Sequence, residues 1–555
     1  MTDHGDAAAQ DHAPLFQHGG DDTVYDRLPI AGVRAVDLGG RRFLEVDADA
    51  LARLAEVAFA RVSHLYRPSH LAQLRAILDD PEASANDRFV ARQLLTNAVI
   101  SASGELPMCQ DTGTAIVLGH KGERVLTGAA DARALSDGIV RTWQSSNLRF
   151  SQMAPLSAYE EVNTGSNLPA QIEIESVAGA RYELLFVAKG GGSANKTFLF
   201  QETKAILEED RMLSWLSERI AGLGTSACPP YHLAIVIGGL SAEQTLKTVK
   251  LASCRELDDL PGEGDRSGRA FRDHRLERQV LELTRALGIG AQFGGKYFCH
   301  DVRVIRLPRH GGSLPIGLGV SCSADRQVKA RIDADGVFLE RLESTPERWL
   351  PETAAGADEA ARIDLSRPME EIRAALGEVP VGGRLLLSGP LIVARDMVHA
   401  ALRKRLEAGA ELPAYMKDHP IYYAGPAKTP DGKPSGSFGP TTAGRMDTYL
   451  PEFQARGASL VTLAKGNRSA AAVESCRRHG GFYLGTIGGA AATIAEEHIT
   501  DVTCLDFEEF GMEAVWRITV RDLPAFLIVD DKGNDFYARP GNVRAGRRPA
   551  GASQR

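Results

Sequence analysis

Several features that define specialised classes of protein are absent from the sequence. No apolar run approaches the ~20 residues of a membrane-spanning helix, and aromatic residues make up only 6% of the 555 residues. Positive charge is not in excess, because 64 Lys and Arg stand against 72 Asp and Glu, for a net charge of −8. We therefore expect neither a membrane nor a nucleic acid as a partner, and a bound anion would need a local cluster of arginine and lysine.

The N-terminus and the cysteines also lack familiar patterns. "MTDHGDAAAQDHAPLFQHGGDD" has neither the basic start and apolar core of a signal peptide nor the arginine-rich character of a transit peptide, so we expect a cytoplasmic protein. The number of cysteines is odd and no C-x-x-C pair occurs, which argues against a disulfide framework or a zinc ribbon. The seven cysteines are Cys109, Cys228, Cys254, Cys299, Cys322, Cys476 and Cys504.

What is present is the composition and patterning of a large globular chain. Hydrophobic residues make up 43% and charged residues 25%, and the length predicts more than one domain. Apolar residues recur at helical spacing over 47–102, whereas two-residue alternation predicts strands from about residue 170 onward. The predicted organisation is an N-terminal extension over 1–45, a domain over 46–345, a linker over 346–380, a second domain over 381–540 and a disordered Arg-rich tail over 541–555.

Two motifs place polar groups beside strands. In "PMCQDTGTA", Cys109, Gln110 and Asp111 directly precede an apolar run. "KGGGSANKT" is close to a phosphate-binding loop, but Asn195 stands where that loop needs glycine. A nucleotide site is therefore disfavoured, although backbone N–H groups of such a loop can still cradle a carboxylate.

Further loops combine glycine or proline with cationic and hydroxyl side chains, which is typical of small-molecule sites. They are "RHGGSLPIGLGVSC" with Arg309 and His310, "GPTTAGRMDTYLP" with Thr441, Thr442 and Arg445, "LAKGN" with Lys465, and "VARD" with Arg395. Taken singly, each of these charged side chains is interpreted as an exposed, solvated residue.

Six motifs occur in a fixed order along the chain: "PMCQDTGTA", "ACPPYHLAIVIGG", "RHGGSLPIGLGVSCSADRQ", "SGPLIVARD", "GPTTAGRMD" and "LAKGN". Together they resemble the class I, iron–sulfur-dependent fumarate hydratases of the single-chain type. The resemblance covers about residues 45 to 540. It implies an α/β fold of two domains, an N-terminal α/β domain that carries the cluster and a smaller C-terminal α/β swivelling domain. It further implies a homodimer.

The resemblance implies one [4Fe–4S] cluster held by Cys109, Cys228 and Cys322, which lie more than ninety residues apart at each step. Electron-transfer clusters of this type normally have four cysteine ligands. Three ligands leave one iron open as a Lewis acid, which suits hydration and dehydration and predicts sensitivity to air. Cys254, Cys299, Cys476 and Cys504 fall outside the matching motifs and are interpreted as buried apolar residues.

The implied substrate is a C4 dicarboxylate, fumarate in one direction and (S)-malate in the other. Arginine suits carboxylates because its planar fork forms paired hydrogen bonds. The implied substrate-binding residues are Gln110, Arg149, Gly192, Arg395, Arg445 and Lys465, and the implied catalytic residues are Thr441, Asp111 and His310. Thr441 would exchange the carbon proton, while Asp111 and His310 would form a second acid/base pair.

The implied residues fall on both sides of the predicted linker, so we expect the site between two domains and dependent on their closure. The first alternative is a sister iron–sulfur hydro-lyase that acts on tartrate or mesaconate. Tartrate enzymes of this kind are commonly split into two chains, and this chain is fused, which favours fumarate. An iron–sulfur redox or sensor protein is disfavoured because a fourth local cysteine is missing.

Overall fold

The computed structural model describes residues 14–128, 130–351 and 360–538, so the predicted tail over 541–555 lies outside the described residues. Helices and strands alternate through both halves of the chain, which confirms the predicted α/β class. No helix among the described residues is long and apolar enough to cross a membrane.

The first half of the chain holds most of the strands. Its strands are β1 (Tyr25–Leu28), β2 (Val33–Leu38), β3 (Arg41–Val46), β4 (Thr114–Gly122), β5 (Val125–Leu126), β6 (Met153–Pro155), β7 (Glu161–Asn163), β8 (Gln171–Val177), β9 (Tyr182–Lys189), β10 (Phe198–Glu202), β11 (Tyr231–Gly239), β12 (Phe271–Arg272), β13 (Cys299–Arg309), β14 (Leu314–Ser321), β15 (Gln327–Asp333) and β16 (Gly336–Glu340). Its helices are α1 (Ala48–His64), α2 (Pro68–Asp79), α3 (Ala85–Ser101), α4 (Asp131–Ser145), α5 (Gly191–Ala194), α6 (Glu209–Ala221), α7 (Ala242–Ser253) and α8 (His274–Ala286). Short 3-10 turns lie at Lys204–Ile206 and Pro346–Trp349.

Two mixed sheets organise this half. The first has the order β1-β16-β15-β9-β4-β8 and the second the order β10-β14-β11-β13-β12. The central strand β11 is buried along its whole length, as its apolar sequence "YHLAIVIGG" requires. It pairs in parallel with β13 and antiparallel with β14, so His232 at its start lies opposite Ser321 at the end of β14.

Helix α1 covers one face of the first sheet. Its apolar stripe packs through Phe59, whose ring meets Phe186 of β9 and Trp143 of α4 edge to face at 5.5 and 5.6 Å. The two helices approach closely at Gly138 of α4, where a side chain would lie 2.1 Å from the carbonyl oxygen of Ala52. Only glycine permits that contact.

The second half continues the alternation. Its strands are β17 (Ala361–Asp364), β18 (Arg384–Val393), β19 (Ile421–Tyr422), β20 (Ala424–Pro426), β21 (Phe438–Pro440), β22 (Val461–Ala464), β23 (Phe482–Thr486), β24 (Ile499–Asp506) and β25 (Val515–Val529). Its helices are α9 (Met369–Gly377), α10 (Asp396–Glu407), α11 (Tyr415–Asp418), α12 (Leu450–Gln454), α13 (Ala470–His479) and α14 (Ala491–Thr493), with 3-10 turns at Ala443–Met446, Glu508–Glu513 and Phe536–Ala538 and a π turn at Ile494–His498.

One sheet of order β17-β18-β19-β22-β23-β25-β24 dominates this half. The long strand β25 pairs with β23 on one side and with β18 on the other, so the sheet closes on itself. Strands β18, β19 and β22 run parallel, with Val393, Tyr422 and Leu463 in register. Their carboxyl ends therefore meet at one edge, which is where open α/β folds place ligands.

The two halves share one apolar core. Helices α2 and α3 pack into the same buried cluster as the closed sheet of the second half, and the ring of Phe526 stacks on Phe293 at a centroid distance of 3.9 Å. Asn97 of α3 also accepts a hydrogen bond of 2.8 Å from the backbone of Ala492. Because a large apolar boundary resists relative motion, this packing favours a preformed site over the expected closure.

The element boundaries differ from the sequence-based ones in two places. Strands β1 to β3 lie mostly within the predicted extension, and Tyr25 of β1 pairs with Glu340 of β16. Strand β17 and helix α9 lie within the predicted linker, and Ala361 pairs with Leu385 of β18. Short, charged edge strands carry little hydrophobic signal, which is why both segments looked like connections. Residues 352–359 lie outside the described part of the chain.

Candidate active site

Three strand edges converge at the boundary of the two halves. The first sheet contributes the start of β4, the end of β9 and the start of β15, since Thr114 pairs with Lys189 and Gln327 with Val187. The second sheet contributes the start of β11 and the end of β14. The closed sheet contributes the carboxyl ends of β18 and β22. The sequence-predicted residues lie just beyond these ends.

Cys109, Cys228 and Cys322 come together here. Cys228 precedes β11 and Cys322 follows β14, and the backbone N–H of Ser323 donates to the carbonyl oxygen of Cys228 at 3.0 Å. Burial raises the pKa of the Cys228 thiol to about 11; Lys465 opposes this shift, and the neighbouring Cys322 and Cys109 add to it. Cys228 also adopts a left-handed backbone with φ of +63°, a conformation that costs a non-glycine residue about 1–3 kcal/mol and is concentrated at functional sites.

The spacing of the thiols fits a polynuclear centre better than a single ion. Thiolates bind one ion at ~2.3 Å, so three sulfurs on one ion lie within about 4.6 Å of each other. Among the described residues, the group of possible ligands that all lie within 4.8 Å is His70, His232 and Asp325, and the three cysteines do not form such a group. Soft thiolates at wider spacing suit an iron–sulfur cluster.

Asp111 is held between the glycine loop and an arginine. Its Oδ2 accepts a hydrogen bond of 2.7 Å from the backbone N–H of Gly191, and its Oδ1 lies 3.3 Å from Arg149 Nη2. Burial by itself would raise the pKa of Asp111, but Arg149, Arg326 and the Gly191 hydrogen bond outweigh it, so the pKa lies below its usual value. The carboxylate is therefore charged at neutral pH.

Gln110 links the first cysteine to the second half of the chain. Its Nε2 donates to the carbonyl oxygen of Pro440 at 3.3 Å, and its Oε1 accepts from the Cys109 thiol at 3.5 Å. The approach depends on Gly439, where a side chain would begin 2.3 Å from Gln110 Oε1. Gln110 thus fixes Cys109 against the loop that carries Thr441.

The loops after β21 and β22 hold each other in place. The backbone N–H of Lys465 donates to the carbonyl oxygen of Thr441 at 3.1 Å. Arg445 Nη1 donates to Thr441 Oγ1 at 3.1 Å, and its Nε pairs with Asp396 at 2.8 Å. Lys465 Nζ reaches across to Cys228 Sγ at 3.0 Å. Burial lowers the pKa of Lys465, but Cys228 and Cys109 more than offset this, so the pKa is raised.

Arg395 lies at the N-terminus of α10, with Nη2 3.0 Å from Glu513 Oε1. Burial, with the nearby Arg149 and Arg445, lowers the pKa of Arg395 to about 10, although Glu513 opposes this shift. The three arginines therefore form one cationic side of the site. Gly192 lies on the other side, where a side chain would begin 3.7 Å from Lys465 Nζ.

His310 is not brought to the other predicted residues within this chain. It lies exposed in the turn between β13 and β14, and its Nδ1 accepts from the backbone N–H of Gly312 at 3.1 Å. Cys322 follows the opposite end of β14, which is eight residues long, or about 26 Å at ~3.3 Å per residue. Within one chain the strand therefore carries His310 to the edge of the sheet that lies away from Asp111.

Arg326 belongs to the site but was missed from the sequence. It directly precedes β15 and is 3% exposed. Its Nη2 lies 3.1 Å from the point where a Gly190 side chain would begin, and Asp111 Oδ2 lies 3.2 Å from the same point. A signal was available, since Arg326 follows Cys322 by four residues in "CSADRQ".

A buried polar network supports the loop that carries Cys322 and Arg326. Asp325 accepts hydrogen bonds from Arg255, Ser321 and Gln327 at 2.5, 2.8 and 2.7 Å. Behind it, His70 Nδ1 lies 3.0 Å from His232 Nε2, and His70 Nε2 lies 3.1 Å from the carbonyl oxygen of Ser323. These contacts occupy the possible ligand atoms, so we interpret the group as a structural network.

Two protein families and several known proteins match this chain. The family described as Fumarate hydratase (Fumerase) matches residues 52–331, and the family described as Fumarase C-terminus matches residues 336–540. The chain is 56% identical over 524 residues to "Fumarate hydratase class I, anaerobic" of Escherichia coli, covering 94% of this chain and 96% of that protein. It is 56% identical over 509 residues to "Fumarate hydratase 2" of Leishmania major, covering 91% and 90%.

A more distant relative is "Putative L(+)-tartrate dehydratase subunit alpha" of Methanocaldococcus jannaschii, which is 28% identical over 287 residues and covers 50% of this chain and 96% of that protein. The two family matches together span both halves, and the 56% identity extends over nearly the whole chain. The chain belongs to the class I fumarate hydratase family.

Proposed function

We propose that the protein catalyses the reversible hydration of fumarate to (S)-malate, with a [4Fe–4S] cluster held by Cys109, Cys228 and Cys322. The observation that carries the proposal is the meeting of three thiols with two sets of cationic side chains and one ionised carboxylate at the boundary of the halves. The names of the E. coli and L. major relatives support the same reaction. The expected cytoplasmic location and the domain division stay predictions.

The cationic groups suit a substrate with two carboxylates. Arg149, Arg395 and Arg445 lie on one side, and Lys465 lies on the side of the thiols. Each of these cations pairs with an acidic or sulfur group of the protein. A substrate carboxylate would compete with those groups, because it can accept two hydrogen bonds from one arginine. Gln110 and the backbone of Gly192 would complete the binding groups in a site largely screened from water.

When bound, the cluster would supply a Lewis-acidic iron for an oxygen ligand. Thr441 is proposed to exchange the proton at the substrate carbon. A threonine hydroxyl is a weak base, so it needs a neighbouring cation, and Arg445 Nη1 donates directly to its oxygen. That hydrogen bond favours the deprotonated hydroxyl. Asp111 is proposed to accept the proton of the substrate hydroxyl group and to return it in the reverse direction, because its carboxylate is ionised and accepts from the Gly191 N–H.

His310 can take part in this chemistry only from another copy of the chain. The predicted homodimer provides such a copy, and the turn after β13 is exposed, with Gly311 and Gly312 beside the histidine. We propose that this turn of the second copy brings its His310 to Asp111. Half of the acid/base pair would then come from each subunit.

The reaction is tested on protein purified without oxygen. Fumarate and tartrate are supplied in parallel, fumarate loss is followed by its absorbance, and the products are identified. Loss of fumarate with formation of (S)-malate supports the proposal. If the protein converted tartrate but not fumarate, its function would be that of a tartrate dehydratase, the activity in the name of the M. jannaschii relative.

A further inference from the structure

Arg326 is a buried cation whose guanidinium forms no direct ion pair in the described part of the chain, although the Asp111 carboxylate lies near it. It is 3% exposed, and its Nε is buried with no hydrogen-bond partner. No carboxylate within residues 14–128, 130–351 and 360–538 forms an ion pair with its guanidinium. An unpaired buried charge is costly, so a buried arginine normally faces an anion.

The other cations of the site differ from Arg326 in this respect. Arg149 pairs with Asp111, Arg395 with Glu513 and Arg445 with Asp396, at 3.3, 3.0 and 2.8 Å. The ammonium of Lys465 donates to the Cys228 sulfur. Arg326 is therefore the group of this set whose hydrogen-bond donors are free for a ligand.

The backbone of Arg326 is fixed against strand β9. The carbonyl oxygen of Arg326 accepts from the backbone N–H of Ala188 at 3.0 Å. The preceding Asp325 is already occupied by Arg255, Ser321 and Gln327, so it does not neutralise Arg326. A fixed backbone and a buried side chain limit the conformational entropy that Arg326 loses when it binds a ligand.

The position of Arg326 complements the three-arginine side. Arg326 Nη2 and Asp111 Oδ2 lie 3.1 and 3.2 Å from the point where a Gly190 side chain would begin, and Asp111 follows Cys109 by two residues. Lys465 Nζ lies 3.0 Å from Cys228 Sγ, whereas Arg395 and Arg445 pair with Glu513 and Asp396 of the second half. A dicarboxylate has two anionic ends, and the site thus has two cationic sides. Lys465 alone offers the thiol side a point charge, whereas Arg326 adds a planar fork.

We propose that Arg326 binds the substrate carboxylate that lies nearer the three cysteines. The proposal rests on the proposed function, since it assigns one end of the dicarboxylate. The competing explanation is that Arg326 only balances the negative charge of the thiolates. The two differ in whether the effect of Arg326 depends on a carboxylate of the ligand.

A double-mutant cycle between protein and ligand separates them. Succinate has both carboxylates but no double bond, so it binds without reacting, and succinamate replaces one carboxylate by a neutral amide. Both are titrated calorimetrically into anaerobic wild-type protein and Arg326→Gln, with iron content measured for each. We expect succinate to bind wild type at least tenfold more tightly than succinamate, and Arg326→Gln to reduce that ratio to about threefold or less.

Equal loss of affinity for both ligands would overturn the proposal, because Arg326 would then act without regard to the carboxylate. Arg326→Lys should restore part of the ratio, and Arg275→Gln, a change to an exposed arginine far from the site that pairs with Glu209, should leave it unchanged. Failure of the proposed function would give a different result. Wild-type protein would bind succinate with the expected ratio of succinate to succinamate affinity, yet it would not hydrate fumarate.

Discussion

The ammonium group of Lys465 lies 3.0 Å from the sulfur of Cys228, although 237 residues separate them in the chain. Lys465 follows a strand of the second half, and Cys228 precedes a strand of the first half. This contact joins the predicted substrate-binding groups to the predicted cluster ligands. The site therefore depends on the packed boundary between the halves.

The space around Cys228 gives a first prediction. At Gly488 a side chain would begin 2.3 Å from Cys228 Sγ and 3.2 Å from Lys465 Cδ. We expect Gly488→Ala to displace the sulfur and to lower iron binding and activity by about tenfold or more, measured by iron analysis and fumarate turnover. Gly377→Ala is the matched control, because nothing lies within 4 Å of a side chain there; full iron content in Gly488→Ala would count against Cys228 as a ligand.

The cysteines themselves divide into two groups. Cys322→Ser should abolish the iron–sulfur absorption band and the activity. Cys476→Ser should retain both, since Cys476 is buried in α13 with Gln454 Nε2 3.7 Å from its sulfur. A hydroxyl there costs at most ~1–3 kcal/mol of stability. Loss of the band in Cys476→Ser at intact fold would contradict the ligand assignment.

Thr441 is tested by removing its hydroxyl group. Thr441→Val keeps the shape of the side chain but leaves Arg445 without its acceptor, so we expect kcat to fall by ~10²–10⁴ with the cluster retained. Thr441→Ser should recover part of the rate. Thr442→Val serves as the neighbouring control, because Thr442 meets Lys465 through its backbone. A Thr441→Val rate near that of wild type would remove Thr441 from the reaction.

Sharing of the site between subunits predicts complementation. Asp111→Asn and His310→Asn should each be nearly inactive alone. A heterodimer of the two, isolated with two affinity tags, would contain one site with both changes and one intact site, so it should regain about half of the wild-type activity. A heterodimer as inactive as its parents, or an active His310→Asn homodimer, would refute a contribution of His310 from the second copy.

A buried histidine gives a pH dependence of stability. Burial lowers the pKa of His399 to about 4, below the value of about 6.5 in an unfolded chain. Between these values the unfolded chain binds a proton that the folded one lacks, so stability is lost as the pH falls through 6.5. The loss is about 2 kcal/mol at pH 5.

His399→Phe should reduce this loss, because the phenyl ring can keep the stacking on Phe453 and carries no proton. The measurement is the thermal midpoint of the anaerobic protein at pH 7 and pH 5. His120→Phe changes an exposed histidine and should leave the pH dependence as in wild type. An equal midpoint shift in wild type and His399→Phe would show that His399 does not carry the effect.

The sequence predicted the α/β class, and its resemblance to the class I fumarate hydratases indicated most of the residues that the site brings together, which lie in short motifs just beyond strand ends. Cys109 and Asp111 lie in one motif, and Arg395 and Lys465 lie just beyond strands, so assigning them to a site did not require knowing how the sheets pack. The position of His310 relative to the site did need that knowledge. His310 and Cys322 share one motif, but an extended strand separates them by its full length, and periodicity alone does not show which end of a strand faces the site.

Arg326 was not identified from the sequence because little in its local sequence distinguishes it. Its sequence surroundings look like those of any charged residue beside a strand, and its meaning comes from burial without a carboxylate partner. The edge strand β17 was taken for a linker because Ala361–Asp364 is short and polar and is specified by its pairing with β18. Contacts between distant segments decide both cases.

The most direct test of the account measures fumarate hydration against iron–sulfur content in one preparation. The protein is purified without oxygen, iron and sulfide are counted, and samples exposed to air for increasing times are assayed for (S)-malate formation. The account predicts that activity falls in proportion to the loss of iron and returns when iron, sulfide and reductant are supplied. Full activity in iron-free protein, or iron-loaded protein that leaves fumarate unchanged, would contradict it.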